Sequence, residues 1–103
     1  MNIQRFAALV EAETKTEYIR KGYKNMDIHY ENGIKTTIVD GKKYIKVNVG
    51  GSGKFMVVKD TGEIFGIKGY GVIHRGKRYG TLDTLDAWKW GDYTPYKKKV
   101  EVL

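Results

Sequence analysis

The chain contains no cysteine. That excludes disulfides, thiolate metal sites and cysteine nucleophiles, and is consistent with a reducing compartment. Histidine is scarce, with only His29 and His74. No apolar run approaches the roughly 18 residues that a membrane-spanning helix needs. The opening residues, MNIQRFAALVEAE, lack the basic flank and long apolar stretch of a secretory signal. Together these absences point to a cytoplasmic address with no membrane partner. What remains is a chain of 103 residues, the length of one domain with a modest core.

Charge is plentiful but unevenly placed. Residues 1–33 carry five bases and five acids, and residues 81–103 carry four of each. Residues 34–80 carry ten bases against Asp40, Asp60 and Glu63, so the whole net charge of +7 lies in the middle of the chain. A basic balance concentrated on one element suits a polyanionic or acidic partner; the plainer reading is a solubilising surface.

That middle region reads as β-hairpins. In Lys54–Gly80, the runs Phe55-Met56-Val57-Val58 and Ile64-Phe65-Gly66-Ile67 flank Asp60-Thr61-Gly62. A three-residue loop with a left-handed glycine pairs Val57 with Phe65 and Phe55 with Ile67, whereas a two-residue loop would set Asp60 against Glu63. Both faces of this hairpin are apolar, so it is expected to be central and covered on both sides. Upstream, Ile34–Val39 and Lys42–Val47 alternate around Asp40-Gly41, a strong two-residue turn signal. The register this turn sets faces Ile38 with Lys43, Thr37 with Tyr44 and Lys35 with Lys46. One face then carries Lys35, Thr37, Val39, Lys42, Tyr44 and Lys46. Downstream, Val72–His74 and Lys77–Tyr79 form a third hairpin about Arg75-Gly76, with Lys68 and Tyr70 flanking its basic tip.

The flanks read as helical. Ile3, Phe6, Ala7 and Val10 have helical spacing over residues 2–12. Thr14-Lys15-Thr16-Glu17 has the form of a capping box that starts a second helix ending near Gly22, with one continuous helix as the alternative. Met26–Tyr30 is a candidate strand, followed by an Asn32-Gly33 turn. Thr81–Trp88 is expected to be a short helix stopped by Gly91, with Leu82, Leu85 and Trp88 in the core. Trp90, Tyr93, Pro95 and Tyr96 are expected to wrap over the sheet. Residues 1–96 then form a single α+β domain, and 97–103 a basic C-terminal tail, frayed or added as an edge strand. The architecture expected is an N-terminal helical segment packed on an antiparallel sheet of successive hairpins, five to seven strands in all, with a short C-terminal helix.

Catalysis needs a constellation, and the residues supply none, so no enzyme, cofactor or metal is expected. His74 beside Arg75, Lys77 and Arg78 resembles part of a phosphodiesterase site, but nothing completes it. Asp83 and Asp86 suit the positive start of a helix and make a poor metal site. Gly50-Gly51-Ser52-Gly53-Lys54 departs from a phosphate loop, because Phe55 stands where Ser or Thr would bind the metal.

Binding fits better. Cations interleaved with tyrosines on strands suit phosphate neutralisation with base stacking. The candidates are Lys35, Lys42, Tyr44 and Lys46 on one hairpin, and Lys68, Tyr70, His74, Arg75, Lys77, Arg78 and Tyr79 on the next. The opposing reading is that tyrosines in so small a chain fill core edges.

The segment Gly62–Thr84, GEIFGIKGYGVIHRGKRYGTLDT, resembles small uncharacterised accessory proteins of phages and mobile elements. This resemblance implies no catalytic residue. It implies either a basic nucleic-acid-binding accessory protein or an inhibitor that binds a host defence complex, such as a CRISPR effector, in the host cytoplasm. The expected partner is therefore nucleic acid, single-stranded or structured, or a host protein or nucleoprotein. A third reading is an oligomeric structural subunit joined through sheet edges.

Overall fold

Ile3, Phe6, Ala7 and Val10 form one buried stripe of helix α1 (Ile3–Arg20). The computed structural model describes residues 2–98. Helix α1 is continuous, so the expected break at Thr14 does not occur. Thr14 is buried within the helix, and its hydroxyl donates to the Val10 carbonyl at 2.7 Å. Glu17 turns to Arg20 instead of reaching back to cap (2.7 Å). Two further carboxylates fasten the helix to the remaining structure. Glu11 accepts the Thr36 amide and Glu13 accepts the Trp90 amide, each at 2.9 Å.

Met26–Tyr30 is not a strand. Asn25 adopts φ 59° and starts a single helical turn, α2 (Met26–His29), which runs into a π turn over Tyr30–Ile34. The His29 ring lies 5.4 Å from Tyr18 and 5.0 Å from Tyr23, so a local aromatic cluster outweighs the weak strand pattern.

Five strands follow as an antiparallel meander: β1 (Thr36–Asp40), β2 (Tyr44–Val49), β3 (Ser52–Val58), β4 (Glu63–Gly69) and β5 (Val72–Thr81), in that spatial order. A second sheet pairs β6 (Trp88–Lys89) with β7 (Tyr96–Lys97). The protein is α+β. The expected C-terminal helix is absent: one 3-10 turn at Leu85–Ala87 stands in its place. Leu82 and Leu85 are nevertheless buried as expected, as is Trp90, whereas Tyr93 and Tyr96 are exposed. Of the expected basic tail, Lys97 belongs to β7 and the Lys98 amide donates to the Ala87 carbonyl. Residues 99–103 lie outside the described residues.

Register decides which face each side chain joins. In β1–β2, Ile38 faces Val47 rather than Lys43. This displacement is even, so the faces stay as expected, but Lys35 falls outside the ladder. It pairs with Glu31 at 3.6 Å, and the expected Lys35–Lys46 opposition does not form. In β3–β4, Val57 faces Ile64 rather than Phe65. This displacement is odd, and it turns β4 over. Gly62 is left-handed as expected (φ 75°), and its amide donates to the Val58 carbonyl at 2.8 Å. The like-charge argument at Asp60 excludes a two-residue loop, but it does not separate a three-residue loop from the longer one observed.

The third expected hairpin is also absent. The chain reverses at Tyr70-Gly71, where Gly71 has φ 78°, and β5 then returns along β4 as one strand with an irregular register. Adjacent β4 residues Phe65 and Gly66 face Arg78 and His74, so Arg75, Gly76 and Lys77 bulge out of the strand without partners.

The core lies between α1 and one face of the sheet, here the inner face. Phe6 and Val10 meet Ile45, Val47, Phe55, Val57 and Ile64, and Leu82, Leu85 and Trp90 close the side. The rings of Phe6, Phe55, Tyr79 and Trp90 contact one another tilted or edge to face, with centroids 4.8 to 6.4 Å apart.

Candidate functional site

The outer face begins with two apolar side chains. Met56 and Phe65 oppose each other across β3 and β4, and both are buried, although they lie outside the α1 core. Phe65 reaches this face because of the odd register, a consequence that strand patterning does not reveal. Arg75, projected by the β5 bulge, covers the floor. Its guanidinium sits 5.7 Å from the Phe65 ring and donates to the Tyr44 hydroxyl at 3.3 Å. Strands lie about 4.8 Å apart, so this contact spans three intervals, from β5 to β2. Only two long side chains lying flat along the sheet close that distance.

Beside this pair, the Lys46 ammonium lies 4.9 Å from the Tyr70 ring centre. The Tyr70 hydroxyl accepts from the Asn48 side-chain amide at 3.4 Å. Arg78, opposite Phe65, is committed to Glu63 at 2.8 Å. Hydrogen bonds from Arg78 and Thr61 hold the Glu63 carboxyl below its ordinary range. Tyr44, Lys46, Tyr70 and Arg75 thus form a contiguous cation–aromatic surface, with Arg78 and Glu63 as a neutralised edge.

The other sequence candidates fall elsewhere. Lys42 and Lys68 are exposed, on the β1–β2 loop and near the end of β4. Lys35 is held by Glu31. His74 is half-buried opposite Gly66, next to the bulge, and its Nδ1 accepts the Gly76 amide at 3.2 Å. Tyr79 is not a surface stacking platform. It is 7 % exposed, packed edge to face on Phe55, Trp88 and Trp90, and burial raises its hydroxyl above the ordinary tyrosine range. Lys77 lines the same side of the sheet as Tyr79. The basic hairpin tip read from the sequence is therefore divided: Arg75 and Arg78 serve the outer face, and Lys77 the inner side.

Sequence reasoning missed the Met56–Phe65 floor as part of this surface. The available signal was a hairpin apolar on both faces, which required either a second covering layer or long side chains acting as one. Among the described residues no group of three or more His, Asp or Glu side chains gathers to hold a metal ion, and no helix is long and apolar enough to cross a membrane. No protein-family model, curated protein or solved structure matches this chain.

Proposed function

We propose that this protein binds single-stranded nucleic acid on the outer face of its five-stranded sheet, as an accessory factor without catalysis. One observation carries the reading. The face turned away from α1 presents Tyr44, Lys46, Tyr70 and Arg75 as one connected surface over an apolar floor. The cations neutralise phosphates, and the tyrosine rings stack on bases without demanding a sequence. Tyr70, at 60 % exposed, offers the more open ring. Tyr44 becomes available when Arg75 exchanges its hydroxyl partner for a phosphate, a stronger charge-assisted acceptor.

The test is fluorescence anisotropy of labelled single-stranded DNA, single-stranded RNA and duplex DNA at about 50 and about 200 mM salt. With Lys46 and Arg75 each neutralising one phosphate, affinity for a single strand should fall with a log–log salt slope of about −1.4. Lys46→Ala should reduce that slope by about 0.7. Single strands should bind more tightly than duplex, and Tyr70→Ala should remove that preference. Equal binding of all three substrates, unchanged by Tyr70→Ala, would reduce the surface to non-specific charge and turn the search toward a host protein partner.

A further inference from the structure

The β3–β4 ladder ends at Phe55 and Gly66. Before Phe55, β3 pairs only with β2; beyond Gly66, β4 pairs only with β5. The two strands diverge there, and segment 93–95 lies against the opening, leaving a cavity of about 280 Å3. Its lining includes Lys54, Phe55, Lys77, Tyr79, Tyr93 and Pro95.

Both lysines reach it through irregularities. The β2–β3 register shifts so that Val47 faces Phe55 and Asn48 faces Gly53, which leaves Lys54 as the extra residue of a bulge. A bulge re-aims a side chain, and here the ammonium lies 5.4 Å from the Phe55 ring centre and donates to the Asp92 carbonyl at 3.1 Å. Lys77 ends the unpaired bulge of β5. A Cβ added at Gly66 would come within 3.3 Å of the Lys77 Cβ and 3.2 Å of the Tyr79 hydroxyl, so the absent side chain keeps this space open. Among the described residues neither lysine forms an ion pair. Burial pulls the Lys54 amine below the ordinary lysine range, and the more distant Asp92 carboxylate opposes this only in part. A half-buried ammonium without a carboxylate partner, as at Lys54, is costly, and exposed Lys77 adds a second positive charge to the same cavity, so an anion is favoured there.

From this arrangement we infer that the cavity is a binding site for a phosphate monoester carried on a flat ring: a nucleoside monophosphate, free or as the 5′ end of a strand. The two amines and the Tyr79 hydroxyl supply the donors. Pro95 lines the cavity, and Tyr93, 94 % exposed at the mouth, is unobstructed and can close over a base. The volume lies just below the range of about 300–1,000 Å3 usual for ligand pockets, which suits one nucleotide and not two. The site involves none of the four residues of the outer-face surface, so it stands or falls separately from the proposed strand binding.

The experiment is calorimetric titration of the whole protein with AMP, adenosine and inorganic phosphate. AMP should saturate one site, with adenosine and phosphate each weaker by about tenfold or more. Lys54→Met and Lys77→Met should each weaken AMP by about tenfold or more, whereas Lys15→Met on the exposed side of α1 should not. Lys54→Met should also melt no lower than the parent, because it removes a desolvated charge and keeps the volume. Exposed Lys77 provides the second variant should Lys54→Met fail to fold. Equal binding of adenosine and AMP, or AMP affinity unchanged in Lys77→Met, would overturn the assignment. A 5′-phosphorylated oligonucleotide that binds more tightly than its 5′-hydroxyl form identifies the strand end as the source; equal binding of the two with AMP binding intact identifies the free mononucleotide.

Discussion

On the inner face Tyr79 meets Phe55, Trp88 and Trp90 edge to face, while on the outer face Tyr70 meets the Lys46 ammonium and the Asn48 amide. The residue type is the same, and the neighbours decide its role. A ring surrounded by rings loses its water and contributes buried area to the fold. A ring beside cations stays wet, and its face remains free for another π system. The same contrast separates the lysines: Lys46 lies over an exposed ring, whereas Lys54 is drawn toward the interior by a bulge. An aromatic count from composition averages over these cases.

The contrast is broken or sharpened most strongly at Phe55. Phe55→Ala should cost about 3–5 kcal/mol, a large fraction of a small domain's total, read as the shift of a urea unfolding curve. Tyr44→Ala on the outer face should cost less than about 1 kcal/mol in the same assay. Comparable losses would mean that the outer face is also core.

Tyr70→Ala comes next. It should remove about 1–3 kcal/mol of single-strand affinity while the unfolding free energy stays within about 0.5 kcal/mol. A change in stability without a change in affinity would reverse the role assigned to that ring.

Alkaline pH separates two inner-side groups by sign. Lys54 has a folded pKa below the ordinary lysine value of 10.5, so the unfolded chain binds the extra proton between those values, and this group's contribution to stability rises with pH across that window. Tyr79 has a folded pKa above the ordinary tyrosine value of 10.0, so its contribution is intact below that pH and is lost as pH rises through the folded value. Melts from about pH 8 to about pH 11 should show the rise flattened in Lys54→Met and the later fall flattened in Tyr79→Phe. A rise that survives in Lys54→Met would mean that the amine is not desolvated.

The smallest effect belongs to the outer edge. Glu63 titrates below the ordinary glutamate value of 4.5, chiefly through the Arg78 hydrogen bond. Its contribution is present above that value and lost as pH falls through the lower folded pKa. An NMR titration of the carboxyl should show Arg78→Ala returning it toward the ordinary range. An unchanged titration would leave Arg78 free to join the cationic surface.

Much of the fold was legible. The helical stripe Ile3, Phe6, Ala7 and Val10, the positions of β1 to β4 and the burial of Leu82 and Leu85 follow from periodicity, because a half-buried element must repeat its apolar residues with its own geometry. The candidate site was only partly legible. Tyr44, Lys46, Tyr70 and Arg75 were singled out by residue type, but Lys77 and Tyr79 were grouped with Tyr70 and Arg75 on a hairpin that does not form. A second short apolar-to-basic strand beside a glycine reads alike whether it turns back or continues with a bulge.

By itself, the chain dictated the class of its elements, the concentration of charge on the sheet and the absence of thiol chemistry, since each depends on residue type and local spacing. Only the tertiary structure decided the faces. One odd step between Val57 and Ile64 carries Phe65 outward, a bulge carries Lys54 inward, and the unpaired bulge Arg75-Gly76-Lys77 sends Arg75 and Lys77 to opposite sides. Local propensity barely distinguishes neighbouring registers. The choice between them comes from packing α1 and residues 81–90 against one side, which rewards the single register that buries Phe55, Val57 and Ile64 together.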